Sequence, residues 1–135
     1  MRSSDDKAAR FAESAPICFS LPWPAPSLSP NRRQHWSKLA QAKSIYRTEC
    51  CEVVLLRPRC KVPTGPLALS LAFCPPDKRK YDRDNLLARM KSGLDGVCDA
   101  LGFDDARFET ITVRVLPSEA KPGRVEVRIG EVMCS

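Results

Sequence analysis

Between Pro22 and Asn31 the chain reads PWPAPSLSPN. Four prolines in ten residues remove backbone donors and fix φ, so neither a helix nor a strand can run through this stretch. Regular structure has to stop before it and start again after it. Upstream, PICFSLPW predicts a first strand over Pro16–Leu21. Downstream, Trp36, Leu39, Ala42 or Lys43, Tyr46 and Cys50 recur at helical spacing, which predicts a helix over Ser37–Leu55. RPRCKVPTGP breaks that helix, and LALSLAFCP predicts a strand over Leu67–Cys74. PPDKRKY is a loop, and a second helix is expected over Asp84–Leu101. FETITVRVLP and RVEVRIGEV then alternate apolar with polar residues, as strands do, around the turn SEAKPG. The short connection predicts that these last two strands pair as a C-terminal β-hairpin. The order β-α-β-α-β-β predicts a single α+β domain with a mixed sheet packed against two helices. Residues 16–135 form this domain, and residues 1–15 are expected to be a flexible tail.

The bulk numbers narrow the function classes. A chain of 135 residues with 43% hydrophobic content can build one core. The net charge of +6 favours an anionic partner, nucleic acid or an acidic membrane surface. The longest apolar runs, such as LALSLAF, are too short to span a bilayer. The N-terminal stretch is polar and acidic, unlike a signal peptide. Seven cysteines with no Cys-x-x-Cys, and His35 as the sole histidine, argue against a zinc site. Most of the cysteines lie in apolar runs and are expected to be buried thiols in a reducing cytoplasm.

The informative segment is DKRKYDRDN, residues 77–85, followed by the second helix. Lys78, Arg79, Lys80 and Arg83 are interleaved with Asp82 and Asp84. On the helix, Leu87, Met90, Leu94, Cys98 and Leu101 form one apolar stripe. Asp84, Lys91 and Asp95 fall on a neighbouring polar stripe, and Gly102 is placed to end the helix just before Asp104 and Asp105. Taken singly, these residues are ordinary helix furniture: an N-cap and surface ion pairs. Taken together, carboxylates one residue apart, a lysine on the same face and a second acidic pair are what an oxygen-ligand Mg²⁺ site uses. The basic cluster would draw in phosphates, and a cation between acids and phosphates reconciles the two signs.

With these residues in view, the chain resembles the RusA-type endodeoxyribonucleases, Holliday junction resolvases of phages and prophages, from about Ile17 onward. SLPWPAPSLSPN is similar to the family's strand and Pro-rich, Asn-containing loop, DKRKYDRDN to its basic run into Asp-x-Asp-Asn, and LDGVCDALGFDD to its helix end and closing Asp pair. The resemblance implies a homodimeric, Mg²⁺-dependent nuclease acting on four-way DNA, with Mn²⁺ as a plausible substitute. It implies Asp82, Asp84 and Asp105 as metal ligands and catalytic groups, with Asp104 beside them, and Lys91 as the lysine needed for cleavage. The family commonly carries that lysine four residues after the second Asp, where this chain has Ala88. Lys91 lies four residues before Asp95, which matches the family's lysine-to-aspartate interval, so a three-residue insertion after DNLL reconciles the two. Asn31, Arg32 and Arg33, with Lys78, Arg79, Lys80 and Arg83, are expected to contact DNA. The alternatives are a basic nucleic-acid-binding module without catalysis, or a nuclease acting on other branched DNA.

Overall fold

The computed structural model describes residues 16–30, 33–118 and 122–132. The N-terminal tail, Asn31, Arg32 and Cys134 lie outside the described residues. The elements are β1 (Ile17–Pro22), α1 (Trp36–Leu55), β2 (Leu67–Cys74), α2 (Arg83–Leu101), β3 (Phe108–Val115) and β4 (Arg124–Glu131). Single 3₁₀ turns at Pro26–Leu28 and Asp105–Arg107 shape the loop before α1 and the loop after α2. Proline punctuation and period-two alternation therefore locate every element to within about one residue at most ends.

The sheet is mixed and four-stranded, in the order β1-β4-β2-β3. The last two strands are antiparallel in direction, but β2 stands between them. β4 pairs antiparallel with β2 and with β1, while β3 pairs parallel with β2. The hairpin expected of β3 and β4 is thus opened by an inserted strand, and α2 supplies the crossover that a parallel β2–β3 pair requires. Alternation along a strand reports its faces but not its neighbours, which is why the pairing was not readable locally.

One face of the sheet is apolar. Ile17, Phe19 and Leu21 of β1 stand level with Ile129, Val127 and Val125 of β4, which in turn face Leu69, Leu71 and Phe73 of β2. All nine are buried. Each such side chain contributes roughly 1.5–3 kcal/mol on leaving water. The helices cover this face. From α1 come Tyr46, Cys50 and Val54, and from α2 come Leu86, Met90, Leu94 and Val97. Leu87 and Leu101, expected on the core stripe of α2, are only partly buried, while Leu86 and Val97 are wholly buried. The reason is that α2 is covered on two sides, by the sheet and by α1. Gly93 and Gly96 let the helices approach: a Cβ on Gly96 would overlap the carbonyl oxygen of Arg47. An exposed bidentate pair between Arg47 and Asp99, at 2.7 and 3.0 Å, ties the same two helices at their surface.

Trp36 stays 75% exposed on the first turn of α1, so it is not a core aromatic. His35 caps that turn, its Nδ1 accepting from the Ser37 N–H at 3.2 Å. Trp23 does join the core, edge-on to Phe73 and Tyr81. All six described cysteines are free thiols. Cys50, Cys74 and Cys98 are buried, whereas Cys18 and Cys60 are exposed. The expectation that most are buried therefore holds for half of those described. An exposed strand face and a loop carry the two exposed ones.

Candidate functional site

The N-terminus of α2 is built by Asp82. Its Oδ1 accepts from the Asp84 N–H at 3.2 Å, satisfying a helix donor that would otherwise lack a partner. Gly102, at φ +83°, closes the other end, its N–H donating to the Cys98 carbonyl at 2.8 Å. The chain then turns sharply. Asp104 accepts from the Ala106 N–H at 3.1 Å and starts the 3₁₀ turn that delivers Asp105 and leads into β3.

The first three turns of α2 and the turn at Asp105 line one cavity of about 390 Å³. Asp84, Leu87, Ala88, Lys91 and Leu94 line it from α2, Asp105 from the turn, and Phe108 and Ile111 from β3. Asp84, Lys91 and Asp105 are exposed at its mouth, and the remaining wall is largely apolar. Ala88 and Lys91 both open onto it, so a lysine three residues further along the helix still reaches the same space. Arg89 does not. It is buried on another side of α2, its Nη2 donating to the Pro24 carbonyl at 2.5 Å and its guanidinium lying 5.9 Å from the Trp23 ring centre.

The closing acids influence one another. The Asp104 carboxylate, bonded to the Ala106 N–H and to Asp105, is held below the usual carboxylate range. Asp105 is pushed upward, first by its hydrogen bond with Asp104, then by burial and the Asp104 charge. Lys91 pulls Asp105 back and Asp95 adds to the rise, so both residues sit within electrostatic reach of the turn.

No family model matches the chain. A protein of Xylella fastidiosa (strain Temecula1 / ATCC 700964) is 43% identical to it over 94 residues, which cover 67% of this chain and 61% of that protein. The chain thus spans about three fifths of the relative's length, and the relative's name, "Uncharacterized protein", carries no activity.

The expected metal set is only partly gathered. Asp84 and Asp105 share the cavity with Lys91, whereas Asp82 opens beside Lys80, Tyr81 and Arg83, and Asp104 caps the turn. Among the described residues no three His, Cys, Asp or Glu side chains form a group arranged to hold a metal ion. Asp84 and Asp105 are the two carboxylates that line the cavity, and Mg²⁺ in general takes one or two protein carboxylates and fills its other positions with water and phosphate oxygen.

The basic residues fan out beside this mouth. Lys78, Arg79, Lys80 and Arg83 are all exposed. Asp77 organises their loop, accepting from the Arg79 N–H at 3.0 Å and from the Tyr81 hydroxyl at 2.8 Å. Arg33 is exposed at the end of the Pro-rich loop. That loop is latched to α2 by Ser29, whose Oγ donates to Asn85 Oδ1 at 2.8 Å. Sequence reasoning missed three participants. Asn85 and Arg89 hold the loop, and Ile111, 45% exposed, walls the cavity from an edge strand that the helices do not fully cover. Among the described residues no helix is long and apolar enough to cross a membrane.

Proposed function

We propose that this chain is a Mg²⁺-dependent endodeoxyribonuclease, similar to the RusA-type resolvases, that cuts four-way DNA by paired symmetric nicks. The observation that carries the reading is the convergence of Asp84, Lys91 and Asp105 on one cavity beside an exposed basic loop. Asp84 and Asp105 would hold the ion, and Mn²⁺ is an acceptable substitute for it. When bound, Mg²⁺ supplies charge neutralisation at the phosphodiester and acidifies a water nucleophile. Lys91 offsets negative charge that develops on the phosphate. Leu87, Phe108 and Ile111 shield one side of the site from water, which strengthens these charge interactions. Asp82 and Asp104 orient the helix end and the turn that present the two ligands. Arg33, Lys78, Lys80 and Arg83 bind the DNA backbone, joined by Asn31 and Arg32 of the same Pro-rich loop.

A junction is close to two-fold symmetric, and two matched nicks need two sites in fixed relation, so the working form is a homodimer. A bacterial cytoplasm, with a phage or prophage as the source of the gene, is what the resemblance to that family implies.

The test is a synthetic four-way junction incubated with and without Mg²⁺. Symmetric nicks are expected with the metal. Asp84→Asn should lower nicking roughly 100-fold or more while junction binding is kept or tightened, because a negative charge leaves the phosphate's vicinity. Loss of binding together with nicking would count against the assigned role. Asp82→Asn should cost less than Asp84→Asn if Asp82 acts through the cap, and as much if it is a ligand. One observation favours a second reading, a binding module without catalysis: no three-ligand group forms among the described residues. Binding without nicking under both Mg²⁺ and Mn²⁺ would support that module. Preference for flaps over junctions would support a nuclease for other branched DNA.

A further inference from the structure

The helices cover one face of the sheet and leave the other open. On the open face the side chains form cross-strand rows. One row runs Ser20, Glu126, Ala72, Arg114, and the next runs Cys18, Arg128, Ser70, Thr112. The middle strand, β2, contributes only small side chains here. The result is a trough of about 300 Å³, floored by Ser70 and Ala72 and flanked by Arg114 and Arg128. Ala72 is buried although no helix lies over it, so its cover comes from the longer side chains beside it.

The charges on this face do not cancel. Glu126 is already engaged, accepting from Ser20 Oγ at 2.8 Å and from Arg124 Nε at 2.5 Å. Arg114 and Arg128 are exposed and take part in no ion pair among the described residues. They stand two strands apart, roughly 10 Å across the sheet. A second copy of the chain laid on this face would bring four such guanidinium groups together without an acid to match them. The face also lacks the large aromatic or aliphatic anchors that a protein partner packs against. Phosphate binding needs neither: it asks for accessible, unmatched cations.

The geometry points to this trough as a second DNA-contact surface, in which Arg114 and Arg128 bind backbone phosphates of a duplex arm. It rests on the nucleic-acid part of the reading above and not on cleavage. Edge strand β3 borders both sites, with Ile111 in the cavity and Arg114 in the trough, so a single DNA arm can pass from one to the other around that edge.

The experiment compares wild type, the double variant Arg114→Gln/Arg128→Gln, and the charge-matched control Lys38→Gln/Lys43→Gln on the exposed face of α1. Affinity for a four-way junction and for a plain duplex is measured across a salt series, with thermal melts to confirm folding. Two lost phosphate contacts should reduce the slope of log K against log salt by about 1.8, so that the affinity lost between roughly 50 and 200 mM salt shrinks about tenfold. The control should keep the wild-type slope. An unchanged slope in the double variant overturns the proposal, as does an equal fall in the control. A change of oligomeric mass in light scattering with the slope unchanged assigns the face to a second copy and overturns it too. Absence of nicking by wild type would sink the nuclease reading but leave this slope comparison intact.

Discussion

Arg89 occupies a costly place for a cation. It is 5% exposed and bonded to the Pro24 carbonyl, its Nε has no partner, and burial pulls its pKa below the ordinary value. Two effects oppose each other. Desolvating a cation costs several kcal/mol, while a charge-assisted hydrogen bond and the contact with Trp23 return about 2–4 kcal/mol. They roughly offset, which leaves side-chain volume to decide the outcome. Arg89→Met, which keeps the volume, should change stability by less than about 1 kcal/mol. Arg89→Ala should cost about 2–4 kcal/mol by leaving a hole beneath the Pro-rich loop. Urea unfolding of both variants checks this. Equal losses would mean that the charge, not the volume, holds the loop.

At the scale of elements, the α1–α2 contact depends on glycine. Gly96→Ala gains about 1 kcal/mol in helix propensity but drives a methyl group into the Arg47 backbone, which cannot swing aside as a side chain could. The collision wins, and the melting temperature should fall by roughly 10 °C. A variant that melts at or above wild type would show that the helices separate easily. The elements themselves were legible in the chain. Prolines mark their ends, and Gly102 was recognised as a terminator because its left-handed conformation suits glycine. The Asp84–Lys91 stripe followed from 3.6-residue periodicity. Asp105 joined it only through the family resemblance, since nothing local says that a turn will fold back along the polar stripe of the preceding helix. The insertion of β2 between β3 and β4, and the apolar wall from Phe108 and Ile111, depend on pairing between distant segments. Alternation in β3 marks Ile111 as facing the helices, but only the sheet order reveals that it lies at the uncovered edge.

The whole molecule carries a pH dependence. Burial pushes the Cys50 thiol up to about 12, and burial with the surrounding aspartates does the same to Cys98. The Tyr46 hydroxyl is raised further, chiefly by burial, and donates to the Pro22 carbonyl at 2.7 Å. All three are neutral when protonated, so the folded state prefers the proton. The unfolded thiols ionise around their ordinary value of 9.0. Stability is therefore full below that pH and declines as pH rises toward 12. Near pH 10.5 the loss should be on the order of 1–2 kcal/mol per thiol. Urea midpoints at neutral and alkaline pH test it, and Cys50→Ala/Cys98→Ala should flatten the decline. A midpoint that holds steady past pH 10 would mean that these thiols already meet water in the native state.

The position of β4 has a consequence for how the protein is made. β1 bonds only to β4, and β4 also flanks β2, so the middle of the sheet waits for the last of these four strands to be synthesised. A nascent chain that has emerged only as far as β3 holds three of the four strands, yet the first of them has no strand to pair with. Its backbone donors and acceptors remain open to chaperones until the ribosome delivers Arg124–Glu131. Translation that halts before Arg124 would yield a fragment fit for proteolysis rather than a weakened protein.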